Sequence, residues 1–217
     1  HYEFRWWYEY SGGKFTDWGA HHVDIALWAI QQNGFGQGPI LFNPIIAEHP
    51  TPYKDGYATV SNQYNTSHKF KIDCTFDNGV VMEVVSQSDY GNGILFEGTK
   101  GRIHVSRGHL NGKPYEDIKN ELDTHFSEDD YVKLYNGKKP ESHMVNFITC
   151  IREGGVPISD VFTHVQSMNT CHLCAIAARL GRKIQWDPKT ETISGDAQAS
   201  TFIARERRKG YEIPNVG

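Results

Sequence analysis

The stretch Gly12-Gly13-Lys14-Phe15-Thr16-Asp17-Trp18-Gly19-Ala20-His21-His22-Val23-Asp24 decides how the rest of the chain reads. It places an acid, a base and a second acid at i, i+4 and i+7. A helix advances about 100° per residue, so Asp17, His21 and Asp24 fall within roughly 60° of one another on one face. The neighbouring positions are apolar or small: Trp18, Ala20, Val23, Ile25, Ala26, Leu27, Ala29 and Ile30. A helix apolar nearly all round is expected to be buried. A narrow charged stripe on it must be paired internally or face a cleft, because unpaired buried charge is costly. A cleft that holds a carboxylate beside an imidazole can move protons near neutral pH. A plainer role also suits the pattern, with Asp17 capping the helix and His21 a satisfied core residue. The paired glycines upstream favour the cleft, since they let backbone or ligand approach the helix start closely.

Working outward, Thr16 or Asp17 caps a helix predicted to reach about Gln32, with Asn33-Gly34 as its stop. Residues 1–16 read as extended or loop, rich in Trp and Tyr. Lys69 to Phe76 alternates, with Phe70, Ile72, Cys74 and Phe76 on one side. Asp77-Asn78-Gly79 is a hairpin turn, and Val80 to Ser86 returns as a strand apolar on both faces. Residues 93–97 and 102–106 pair around Gly98-Thr99-Lys100-Gly101. Ile40 to Ala47 and Tyr57 to Tyr64 are weaker strands. The fold class that follows is α+β: a large, mostly antiparallel sheet of five or six strands with helices on one face. The double-sided strand predicts that both sheet faces are covered, one by helices and one by a second subunit. Residues 107–141 read as a polar insertion with one short helix. Ser142 caps a helix through Glu153, stopped by Gly154-Gly155. A longer helix runs from Asp160 to Leu180, stopped by Gly181. Lys183 to Trp186 is a short strand. Residues 187–217 read as an extended tail whose basic end, from Arg205, is a solvated face. We expect one domain over 1–217.

The 217 residues carry a net charge of −4 and are 38% hydrophobic, enough for a substantial core. The mild charge gives no reason to expect nucleic acid or an anionic membrane as partner. No apolar run approaches the ~20 residues that span a bilayer. The chain starts at His1 rather than Met, and its aromatic opening reads as part of a longer protein. Four cysteines in a chain this long make no disulfide scaffold, so buried thiols are expected. Cys171-His172-Leu173-Cys174 lies mid-helix without a second such pair, and reads as small buried hydrophobes. No metal site is expected, because His21 and His22 are neighbours on a helix and point apart. His22 itself suits a core or supporting role. Gly34-Phe35-Gly36-Gln37-Gly38 follows a helix and precedes a strand. A dinucleotide cradle needs the reverse, so none is read here. Arg5-Trp6-Trp7-Tyr8 either lines a pocket, where aromatic faces and Arg suit an oxygen-rich ligand, or forms an aromatic core strand.

Ser11-Gly12-Gly13-x-x-x-Asp17-x-Gly19-x-His21-x-x-Asp24 resembles the opening signature of the C-terminal domain of the Gfo/Idh/MocA oxidoreductases. These include glucose–fructose oxidoreductase and inositol dehydrogenase. The Gly98–Gly101 turn is also similar to the family. So is the block from His143 through Cys171-His172-Leu173 and Leu180-Gly181-Arg182-Lys183 to Trp186-Asp187-Pro188. Lys14 stands where the family has a third glycine. The resemblance implies the substrate-binding domain of an enzyme that interconverts CH–OH and C=O on a sugar, cyclitol or related polyol. It implies His21 as acid–base residue with Asp17 beside it, and Asp24 as a supporting carboxylate. Arg5, Trp7, Tyr10, His22 and Asp24 are the candidate substrate-binding residues. NAD or NADP is expected on an N-terminal Rossmann domain of the parent chain, none on these residues, and the fragment alone is expected to be inactive. The open sheet face is expected to form a homo-oligomer. Two other readings stand beside this one: an NAD-dependent glycoside-cleaving enzyme on the same scaffold, and a non-catalytic carbohydrate-binding or dimerisation module.

Overall fold

A computed structural model describes residues 2–214. After α1 (Trp18–Ala29) come β1 (Leu41–Glu48), the two-residue strands β2 (Tyr53–Lys54) and β3 (Tyr57–Ala58), β4 (Lys69–Thr75) and β5 (Val81–Val85). A second group follows: β6 (Ile94–Gly98), β7 (Gly101–Ser106), β8 (His109–Asn111), and the short helices α2 (Lys113–Ile118), α3 (Leu122–His125) and α4 (Glu128–Leu134). The chain closes with α5 (His143–Glu153), α6 (Val161–Leu180), β9 (Ile184–Asp187), β10 (Thr192–Ser194) and α7 (Ala197–Ser200).

Alternation builds the main sheet, whose order is β10-β9-β1-β4-β5 with every neighbour antiparallel. Phe70, Ile72 and Cys74 of β4 point inward, and Val84 and Met82 of β5 stand opposite Ile72 and Cys74. α6 lies on that face. Its Leu173, Cys174, Ile176 and Ala177 are buried in one cluster with Phe42, Ile72 and Ile184. Each such side chain stabilises the fold by about 1.5–3 kcal/mol. The ends of α6 are those expected. Asp160 accepts from the Phe162 and Thr163 amides, and Gly181 closes the helix in the left-handed conformation. Ser142 caps α5 in the same way. Gly79, at a φ of 83°, allows the tight reversal between β4 and β5.

Several expectations change on contact with the structure. β6, β7 and β8 form their own three-stranded sheet. Gly91 and Gly93, both at positive φ, turn the chain away from the edge of β5. Nothing among the described residues packs on the second face of the main sheet at β5, where Val81 and Val85 are exposed beside a Lys71–Glu83 ion pair, which leaves room there for the second subunit expected on that face. Within 57–64 only Tyr57–Ala58 is strand, in a small hairpin reversed at Asp55-Gly56. Residues 107–141 hold the three short helices α2, α3 and α4 rather than one. The tail is not simply extended. β10 pairs with β9, and Asp196 caps α7 while pairing with Arg182 at 2.8 Å. Arg205 is not merely solvated either, because it donates to the carbonyls of Tyr8 and Glu9.

The helix that opens the argument is shorter and less buried than its composition suggests. α1 ends at Ala29, and Gln31 rather than Gly34 takes the left-handed position after it. Val23, Ala26 and Leu27 are buried, but Trp18, Ile25 and Trp28 are exposed. α5 shows the same inversion, with Met144, Phe147 and Ile151 open while Asn146 and Cys150 are buried. None of the described helices is long and apolar enough to cross a membrane.

One buried imbalance gives a pH dependence. The His49 ring stacks on Tyr53 at 4.1 Å, and its Nε2 is buried with no hydrogen-bond partner. Burial, helped by the charges of Arg179 and His68, pushes its pKa from 6.5 down to about 4. Between those values the unfolded chain binds a proton that the folded chain refuses, so stability falls as pH falls through that window. The ring is partly exposed, which discounts the loss to roughly 1–3 kcal/mol. Urea unfolding near about pH 7 and about pH 4.5 should show a smaller acid penalty for His49→Phe than for the wild type. Equal penalties would remove His49 as the cause.

Candidate functional site

The site begins with a single 3-10 turn, Gly13–Phe15, ahead of α1. Phe15 is buried and stacks on Phe70 at 3.9 Å, which ties the turn to β4. The two glycines are demanded by the chain itself. The Gly12 amide donates to Thr16 Oγ1 at 3.0 Å, and a Cβ on Gly12 would fall 2.5 Å from the Thr16 methyl. Gly13 has a φ of +62°, and a Cβ there would fall 2.6 Å from Thr66. Close approach is therefore real at this point, and threonines are what approach.

Asp17 occupies the N-cap position of α1 but makes no capping bond with its side chain. Its Oδ2 instead accepts from Arg5 Nη1 at 2.8 Å. With φ −94° and ψ −104° it stands outside the helix, so the i,i+4 geometry, which needs both residues helical, does not hold. The side-chain partner of Asp17 is thus Arg5, in an ion pair. Both members are over a third exposed, and such pairs contribute below about 1 kcal/mol.

His21 is exposed, with its ring centroid 6.1 Å from that of Trp18 in an edge-on arrangement. A small molecule can therefore reach it. His22 is half-buried against the same indole, 5.9 Å away. Burial lowers its pKa, and the charges of His21 and Arg107 lower it further, so the neutral ring is favoured. Asp24 turns the other way. Its Oδ1 accepts from Ser167 Oγ at 2.8 Å and lies 3.5 Å from His164 Nδ1, which binds α1 to α6. His164 is held in turn by Ser159, with 2.5 Å between Oγ and Nε2. The single acid–base–acid stripe therefore divides: Asp17 to Arg5, His21 to solvent, Asp24 to α6.

The other sequence candidates scatter. Arg5 is brought to the site through Asp17. Trp7 packs edge-on against Tyr64 at 5.9 Å, and Tyr10 is exposed. Tyr8, between them, is the buried one. Its hydroxyl accepts from the Ser67 amide, and burial pushes its pKa up to about 12. Sequence reasoning missed Ser167 and His164, whose only signal was their place on the first turns of a capped helix. It also missed Arg107, whose guanidinium lies 4.8 Å over the Trp18 ring. An Arg-Gly pair in a two-residue hairpin was the available clue.

Among the described residues no group of three His, Cys, Asp or Glu could hold a metal ion. Cys171 and Cys174 are buried, and burial raises both thiols well above their usual range. Cys174 Sγ sits 3.5 Å from Cys74 Sγ, packed into the core. Two shallow concavities, one bordered by Gly36, Gln37, Asp77 and Lys189 and one by His49, Tyr53, Arg179 and Gln198, both exclude His21. Gly34–Gly38 is a loop from α1 into β1, and the main sheet is antiparallel. Two strands do run through a glycine into a short helix, β8–Gly112–α2 and β10–Gly195–α7, but neither carries the G-x-G-x-x-G spacing or belongs to a parallel sheet, so the described residues do not fit a dinucleotide.

A family model described as "Oxidoreductase family, C-terminal alpha/beta domain" of the Gfo/Idh/MocA group matches residues 1–213. Among solved structures, the chain is similar to the WlbA dehydrogenase from Bordetella pertussis, in complex with NADH and UDP-GlcNAcA. The TM-score is 0.53 at 18% identity, over 84% of this chain and 50% of that one. The chain thus spans half the length of that protein, and the likeness is one of fold. No curated protein matches the chain. A match over nearly every residue, in a chain whose fold is α+β, shows that this chain belongs to the Gfo/Idh/MocA oxidoreductase family as its C-terminal α/β domain.

Proposed function

We propose that the chain is the substrate-binding half of an NAD(P)-dependent oxidoreductase acting on a sugar, cyclitol or related polyol, with His21 as its acid–base residue. The observation that carries this reading is the open imidazole of His21 at the start of α1, in a chain the family model matches over residues 1–213. An exposed imidazole can take the proton of a substrate hydroxyl as C=O forms, and return it in the reverse direction. Asp17 bears on the site by holding Arg5 at the start of α1 through their ion pair. Asp24 supports it by holding α1 on α6. The hydride acceptor, NAD or NADP, has no seat among the described residues and belongs to a Rossmann domain elsewhere in the parent protein. The NADH and nucleotide sugar in the WlbA complex support a nicotinamide cofactor and a sugar substrate. The uncovered sheet face around Val81 and Val85 is where a second copy would pack.

The test is reconstitution. The parent enzyme is expected to consume NAD(P)+ in step with polyol oxidation, and these 217 residues alone to show no turnover with either nucleotide. Turnover by the fragment would overturn the division of labour. A parent that releases free sugar with no net change in cofactor would replace dehydrogenation by glycoside cleavage.

A further inference from the structure

Arg107 sits in the two-residue turn between β7 and β8, where Ser106 pairs with His109 and Gly108 takes a φ of 76°. Other arginines of this chain pair with carboxylates: Arg5 with Asp17, Arg102 with Glu97, Arg182 with Asp196. Arg107 has no carboxylate within ion-pair distance among the described residues. It is held instead by an aromatic ring, 4.8 Å over Trp18. A guanidinium stacked in this way is oriented without its in-plane N–H donors being used.

The same indole lies against His21 and His22, so one ring gathers a guanidinium and two imidazoles at the start of α1. The carboxylate closest in sequence, Asp17, is already neutralised by Arg5. The amino end of a twelve-residue helix adds partial positive charge to the same place. With Arg5 and Asp17 paired and Asp24 turned to Ser167, no carboxylate among the described residues matches the Arg107 charge beside the indole.

We infer that Arg107 and His22 form an oxyanion subsite, and that the polyol handled at His21 carries a carboxylate or a phosphate. This rests on the reading of His21 as the acid–base residue. Arg107 binds the anion through charge-assisted N–H donors, and Trp18 fixes the guanidinium. His22, kept neutral by burial and by the nearby Arg107 guanidinium, offers a ring nitrogen as a further donor. The subsite lets the anionic end of the ligand set which hydroxyl meets His21.

Calorimetric titration of the 217-residue chain with glucuronate, glucose 6-phosphate and glucose tests the inference. One of the two anionic sugars is expected to bind about tenfold or more tightly than glucose. Preference for glucuronate identifies a carboxylate, and preference for glucose 6-phosphate a phosphate. R107Q is expected to bring all three ligands within about twofold of one another, with R107K retaining part of the preference. Arg107 is exposed, and an unchanged melting temperature of R107Q would show that the loss is local. Equal binding of all three ligands by the wild type, no binding of any, or a preference that survives in R107Q would each overturn the subsite. H21A separates the two readings. It keeps the anion preference if the subsite stands, whatever it does to turnover in the parent enzyme.

Discussion

Replacing His21 with Ala in the full-length enzyme is expected to cut kcat by about 10²–10⁴-fold, the usual range for losing a positioned acid–base group. His22→Ala should cost about tenfold or less. The contrast follows from geometry. His21 is open to a substrate, whereas His22 is half-buried against Trp18 and biased to its neutral form. Neither substitution should unfold the domain, because α1 is held by Val23 and Leu27 in the core and by the Asp24–Ser167 bond. Steady-state kinetics with matched thermal melts would check this. Equal losses at the two positions would move the acid–base role away from His21. A loss of stability without a loss of turnover in His21→Ala would favour a binding or dimerisation module.

The largest stability effect is expected at Phe42. Truncation to Ala should cost about 3–5 kcal/mol, with urea unfolding as the measurement. Phe42 is fully buried in the central strand β1, opposite Cys74 on one side and Ile184 on the other. It shares one buried cluster with Cys174, Ala177 and other residues of α6, the helix packed on β1. Helix and sheet backbones cannot close on the void, so the cavity penalty adds to the lost transfer energy. Val81→Ala on the open face of β5 serves as the control and should cost well under about 1 kcal/mol. A Phe42→Ala penalty as small as that of Val81→Ala would mean that the inner face is not the core.

The elements that could be read from sequence are those that satisfy local rules. Ser142 and Asp160 mark helix starts, Gly154 and Gly181 mark ends, and the alternation of Phe70, Ile72 and Cys74 marks the inward face of β4. What escaped reading depends on partners far along the chain. β1 reads as a weaker strand in sequence, yet it lies at the centre of the sheet, and a bulge between Pro44 and Ile46 accommodates its proline. β10 is three residues long and exists only because β9 pairs with it. The helical wheel misled at Asp17, where backbone outside the helix and an arginine twelve residues away decide the side chain's contact. Counting apolar residues misled along α1 and α5, because composition cannot tell a core-facing stripe from an outward one.

The clasp between Arg205 and the carbonyls of Tyr8 and Glu9 joins segments up to 197 residues apart in sequence. Neither segment contains a long helix or strand of its own, and isolated ends of this kind usually fray first. The first segment is also anchored to Asn65, Thr66 and Ser67 through Trp6, Tyr8 and Glu9, so the clasp adds one more tie to the stretch that carries Arg5, the ion-pair partner of Asp17. A side chain near one end of the polypeptide thereby helps to brace the stretch that supplies a charge to the candidate site.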